Sequence, residues 1–157
     1  MSCFTFYIFN RQGVCQYYHE WARPKPVQQG AGSIQEDFKL MFGMCWSMKA
    51  FAAAVNPKDP KKQQMGAPSR IGDGSTFHTF KTDSYKLHFF ETPSGLKFVL
   101  NTGPALGNMD DHLQYIYKNF YVELVVKNPA YIPGEAFLFE TFTIALNKYM
   151  VALGLLS

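Results

Sequence analysis

Several things are missing from this sequence, and each absence narrows its class. No basic stretch followed by an apolar core and a cleavage site opens the chain, so no secretory signal is evident. No uninterrupted apolar run approaches the roughly 18–20 residues that a membrane-spanning helix needs. Cysteine is scarce: Cys3, Cys15 and Cys45 are odd in number, and no two are close enough for a CxxC pair. All three lie in apolar surroundings, as buried reduced thiols of an intracellular protein do. The four histidines show no HxxxH or mixed Cys/His spacing, which argues against a metal centre. Charge of one sign is also thin. The formal charge is +3, and the cations are scattered instead of gathered into the stripe of a nucleic-acid binder. One local group, Lys58, Lys61, Lys62 and Arg70, falls in a loop and reads as a solvated surface.

Catalytic signatures are missing as well. There is no GxSxG elbow and no GxxxxGK[ST] loop. Gly30-Ala31-Gly32 and Gly72-Asp73-Gly74 lack the strand before and the helix after that a nucleotide fingerprint needs. Asp110-Asp111-His112 opens a helix, where acidic residues answer the positive end of the helix dipole without any catalytic role. His19 and Glu20 alternate across a strand, while His78 and His88 lie in aromatic strand segments as packed or edge histidines. The expectation is a protein with no catalytic centre, cofactor or metal.

What the chain does have is apolar and aromatic material, 47% and 17% of its residues. That suits one globular domain over residues 1–157. Cys3 to Phe9 is an unbroken β-rich run, the pattern of a strand covered on both faces. Asn10 to Gly13 supplies a turn, and Val14 to Trp21 returns as a second strand. Ser33 and Glu36 form a capping box for a helix from Ile34 to about Val55. Residues 56–75, rich in Pro, Gly, Lys and Gln, read as a mobile loop. Strands follow at Thr76–Lys81, Tyr85–Thr92 and Leu96–Thr102. Asn108 then caps a helix with the stripe Met109, Leu113, Ile116, Tyr117, Phe120 and Leu124. A last helix carries Leu138, Phe142, Ala145, Leu146, Tyr149 and Leu153. The order ββ-α-βββ-αα predicts an α/β (α+β) fold, with five antiparallel strands, one helix on one face and two on the other.

The first helix is the informative one. Ile34, Phe38, Met41, Cys45, Met48 and Ala52 form a sheet-facing stripe at spacings of three and four. The opposite side carries small residues (Gly43, Ser47, Ala50, Ala54) flanked by Lys39 and Trp46. Solvent-facing helices usually place charge there, and a small ridge permits close approach by another chain. Lys39, Gly43, Trp46, Ser47 and Ala50 are therefore the candidate partner-binding residues.

Four stretches then carry a family resemblance: Phe9-Asn10-Arg11-Gln12-Gly13-Val14-Cys15, Phe38 to Met44, Tyr85 to Gly95 and Tyr121 to Pro129. Together they resemble the smallest longin-like subunit, subunit one, of the transport protein particle (TRAPP). The resemblance implies a longin, or SNARE-like, fold. It also implies a place in the complex that exchanges guanine nucleotide on a Rab GTPase in endoplasmic-reticulum-to-Golgi traffic. The partners implied are a second longin-like subunit, a subunit of the other fold type and the GTPase. The location implied is cytoplasmic, peripheral at the cis-Golgi and endoplasmic reticulum, with membrane contact only through the complex. Rival readings are another longin-domain protein, such as an adaptor small chain or SNARE-like regulator, and a small enzyme or ligand-binding protein using His88 or His112. A SNARE needs a heptad-bearing helix and an anchor after the domain, and neither is found up to Ser157.

Overall fold

The computed structural model describes residues 3–22, 33–57 and 77–156. Five strands form one antiparallel sheet in the order β2-β1-β5-β4-β3. They are β1 (Cys3–Phe9), β2 (Cys15–Glu20), β3 (Thr79–Lys81), β4 (Lys86–Glu91) and β5 (Lys97–Thr102). The helices are α1 (Ser33–Ala54), α2 (Asp110–Tyr115) and α3 (Glu140–Ala152), with π-helical winding over Ile116–Val126 between the last two. This is the predicted order of elements, with one helix on one face of the sheet and the later helices on the other. No described helix is long and apolar enough to cross a membrane.

Strand alternation builds two cores. Phe6, Ile8, Phe98 and Leu100 face the later helices, with Leu113, Ile116, Tyr121, Val125, Phe142, Leu146 and Met150 packed against them. Tyr7, Phe9, Leu87, Phe89 and Val99 face α1. β1 is buried along almost all its length because it lies between β2 and β5 and is covered on both sides. In the β1–β2 hairpin Gly13 takes φ 90°, and Asn10 Oδ1 accepts the Val14 N–H at 2.8 Å.

Several expected details change. Of the predicted stripe, Tyr117 and Phe120 are half-buried against the core, but Tyr121 and Val125 are the fully buried residues of this segment. The cause is the π winding, in which the Lys127 N–H reaches the Val122 carbonyl five residues back. The wider turn moves the inward position from the fourth to the fifth residue after Ile116. Tyr121 is then satisfied inside, donating to Gln16 Oε1 at 3.1 Å. Leu138 precedes α3 and is 86% exposed, and the residues that α3 buries are Phe142, Leu146 and Met150. Asn108 lies two residues outside α2, yet its Oδ1 accepts the Asp110 N–H at 3.0 Å. Ile34 is exposed, one turn before α1 first meets the sheet at Asp37 and Phe38, and Ala53 is buried where Ala52 was expected. His78 precedes β3, which starts at Thr79. Ser33 opens α1, while its side chain, the double-glycine loops and the basic group Lys58 to Arg70 are not described.

Candidate functional site

Two contacts orient α1. Near its start, the Tyr7 hydroxyl donates to Asp37 Oδ2 at 2.8 Å. Further along, Lys49 Nζ donates to Glu91 Oε1 at 2.8 Å, with both side chains largely out of solvent. Between them, Phe38 meets Tyr7 edge-on at 6.1 Å, Phe42 packs on Phe9 at 5.7 Å, and Cys45 is buried. Gly13 is required here twice over. Its positive φ suits glycine, and a Cβ on it would lie 3.0 Å from the Phe42 ring. The helix is thereby held to the sheet by one side.

The other side is open. Lys39, Trp46 and Ser47 are exposed, and Gly43 and Ala50 are half-buried. Nothing lies within 4 Å of where a Gly43 Cβ would sit, so the helix has a clearing there. All five candidates share this outward side, with Trp46 stacked at 6.3 Å on Phe42. Three large residues beside them escaped the sequence reading: Leu40 at 74% exposure, Phe51 at 51% and Val55 at 54%. The signal for Leu40 and Phe51 was present in the spacing, since they stand three before Gly43 and four after Ser47 on the same face. Looking for small residues concealed it. The clearing is therefore bordered by large apolar side chains, the composition of an interface centre.

The histidines and thiols that the sequence offered as chemistry are placed elsewhere. His88 is buried, sharing a 2.9 Å hydrogen bond through Nε2 with Thr102 Oγ1, and burial, helped by Lys86, lowers its pKa to about 4. His112 Nδ1 is 2.8 Å from the Tyr149 hydroxyl, and His78 Nδ1 lies 3.5 Å from Asp110 Oδ2. Neither His88 nor His112 lines the apolar cleft of about 230 Å³ formed by Leu138, Phe139, Glu140, Thr143 and Ile144. Burial pushes the thiols up, to about 11 at Cys3 and about 12 at Cys15 and Cys45, far from a reactive thiolate. Among the described residues, no three His, Cys, Asp or Glu side chains gather as a metal site does.

Comparison with known proteins gives the family of the chain. Residues 3–153 match the Sybindin-like family. The chain is 40% identical over 153 residues to "Trafficking protein particle complex subunit 1" of Homo sapiens, covering 98% of this chain and 94% of that protein. The protein of the same name from Dictyostelium discoideum is 39% identical over 147 residues, covering 94% and 93%. "Transport protein particle subunit bet5" of Schizosaccharomyces pombe is 30% identical over 167 residues, with 96% of each chain covered.

Proposed function

The chain belongs to the Sybindin-like family, and on that premise we propose that it is a non-catalytic core subunit of a TRAPP complex. In this reading it helps to form the platform for guanine nucleotide exchange on a Rab GTPase in endoplasmic-reticulum-to-Golgi transport. It binds a second longin-like subunit, a subunit of the other fold type and the GTPase, and meets cytoplasmic membrane surfaces only through the assembly. The observation that carries the reading is the outward face of α1, where Leu40, Trp46, Phe51 and Val55 stand in solvent around the Gly43 clearing. Large apolar groups so arranged on a described surface support a partner interface. An exchange factor works by binding the opened, nucleotide-poor GTPase better than the GDP-bound form. That needs shape and contacts, and no general base.

Gly43→Arg tests the reading. Open space at the Cβ lets the isolated chain accept the substitution, and loss of a mid-helix glycine favours the helix by up to about 1 kcal/mol. The long side chain then blocks close approach. Tagged wild type should co-purify TRAPP subunits identified by mass spectrometry, and the folded variant should lose some of them. Wild type that brings down none of these subunits refutes the proposal.

A further inference from the structure

We propose that the apolar face of α1 is completed on one side by a cationic rim, Arg11 and Lys39, which receives carboxylates of the partner protein. The inference rests on the platform reading above and names the partner chemistry that the platform requires.

The rim is built where three separate stretches of sequence meet. The β1–β2 turn carries Arg11, whose stem lies along the β4–β5 turn. A Cβ on Gly95 would sit 3.0 Å from Arg11 Cγ. Lys97, at the start of β5, donates to the Gly95 carbonyl at 3.2 Å and sits 5.5 Å from the Phe42 ring centroid. Phe42 in turn stacks on the exposed Trp46. Lys39, Phe42, Trp46 and Lys49 follow one ridge of α1 at steps of three, four and three.

Charge at this ridge is not balanced. Among the described residues Glu91 is the carboxylate paired here, 2.8 Å from Lys49 and 3.8 Å from Lys97. Lys97 has its pKa lowered chiefly by burial, and the charges of Lys49 and Arg11 add to that against the pull of Glu91. Lys49 and Lys97 thus share one carboxylate, and among the described residues no ion pair engages Arg11. The exposed Lys39 stands one turn after the exposed Glu36. On α1 the acids are Glu36, exposed in the first turn, and Asp37, which is tied to Tyr7. No acid follows from Phe38 to Pro57, and neither turn, Asn10–Val14 or Thr92–Leu96, contains one. A complementary partner therefore presents carboxylates beside its apolar contact. Trp and Arg at the edge of an apolar clearing are the residue types that dominate interface energies.

A protein suits this surface better than a lipid bilayer. Lys49 and Lys97 are spent inside the molecule, leaving Arg11 and Lys39 to reach out from the ridge. Binding to an anionic leaflet takes a cluster of about four to eight such cations, and two fall short of that. The same two cations are enough to steer and fix one acidic protein partner.

The test uses the full chain and the TRAPP subunits that co-purify with it, re-isolated without it and immobilised. Binding is measured from 50 to 300 mM NaCl for wild type, Arg11→Gln/Lys39→Gln, Gly43→Arg and the distant α3 control Lys148→Gln. The double variant should bind about fivefold or more weakly at low salt and lose most of the wild type's salt dependence, while Lys148→Gln follows wild type. Carbodiimide coupling, which joins amines to carboxylates, should link Lys39 to an Asp or Glu of a partner subunit. A double variant that binds like wild type at every salt, while Gly43→Arg is lost, overturns the rim and leaves the platform standing. Normal binding by Gly43→Arg removes the platform itself. A double variant that binds its partners normally but no longer sediments with phosphatidylserine vesicles also overturns the rim, assigning it to lipid.

Discussion

The two faces of the sheet are covered in different ways. On one face, α2, the π-helical segment and α3 bury Leu113, Ile116, Tyr121, Val125, Phe142, Leu146 and Met150 in a continuous aromatic and aliphatic core. On the other, α1 works alone. It places only Cys45 and Ala53 fully inside and holds Leu40, Phe51 and Val55 in solvent. The difference follows from geometry. A lone helix on a sheet touches it with one stripe, so a helix apolar on more than one side keeps an open face. The later helices pack on each other as well as on the sheet, which uses more of their circumference. Among the described residues the first face is covered, while on the second the outer side of α1 stays open.

The largest expected effect comes from breaking the finished face. Phe142 is fully buried and meets Tyr17 at 4.8 Å and Phe137 at 5.5 Å. Phe142→Ala should lower stability by about 3–5 kcal/mol, seen as a shifted denaturant midpoint. An effect below about 1 kcal/mol would mean that this face is looser than its packing indicates.

Next comes the anchor that holds α1 to its side. Glu91→Ala leaves Lys49 and the buried Lys97 without their carboxylate. The expected cost is about 3 kcal/mol, with faster amide exchange in α1 than in β1 or β5. Uniform acceleration across the molecule would show that α1 and the sheet open as one unit.

The finished face has a polar weak point at His88. His88 Nε2 is bonded to Thr102, but its Nδ1 is buried without a hydrogen-bond partner in the described structure. The folded state therefore holds the ring neutral, with a pKa of about 4 against 6.5 for the free side chain. A lowered histidine pKa means that the unfolded chain takes up the proton first. The stabilising contribution is thus present above pH 6.5 and is lost as pH falls toward 4. Between pH 7 and pH 5 the loss should be about 2 kcal/mol. His88→Gln should remove that part of the pH dependence in denaturant titrations, and an unchanged slope would place the proton uptake elsewhere.

How much of this was legible in the sequence differs between the faces in the same way. The strands, their order and α1 follow from local pattern, because β1's run of apolar residues and the Asn10–Gly13 turn act through near neighbours. The stripe after Ile116 was misread because α-helical spacing was assumed. The sequence Tyr117 to Val126 is apolar or aromatic at seven of its ten positions, so either winding buries something. Only the sheet and α3 decide between Phe120 and Tyr121. On α1, Gly43 and Ser47 were visible as small residues, whereas Leu40 and Phe51 looked like core. Hydrophobicity alone does not say which side of a helix the sheet will take. The Arg11–Gly95 and Lys49–Glu91 contacts were hidden for a simpler reason: their partners are 84 and 42 residues apart, 95 − 11 and 91 − 49.

The smallest expected effect on stability is the sharpest test of the comparison. Leu40 is the most exposed large residue of α1. If its side chain has no role in the isolated fold, Leu40→Ser should change stability by no more than about 0.5 kcal/mol. The same substitution on a partner-covered face removes buried apolar area, worth about 1.5–3 kcal/mol for a leucine, or roughly a ten- to hundredfold loss of affinity. Denaturant unfolding of the isolated chain and binding to the co-purified subunits, measured side by side, separate the two. A folded variant that has lost affinity places Leu40 in the interface. A variant that keeps full affinity confines the contact to the Gly43–Trp46 side, and one that loses stability shows Leu40 to be part of the fold after all.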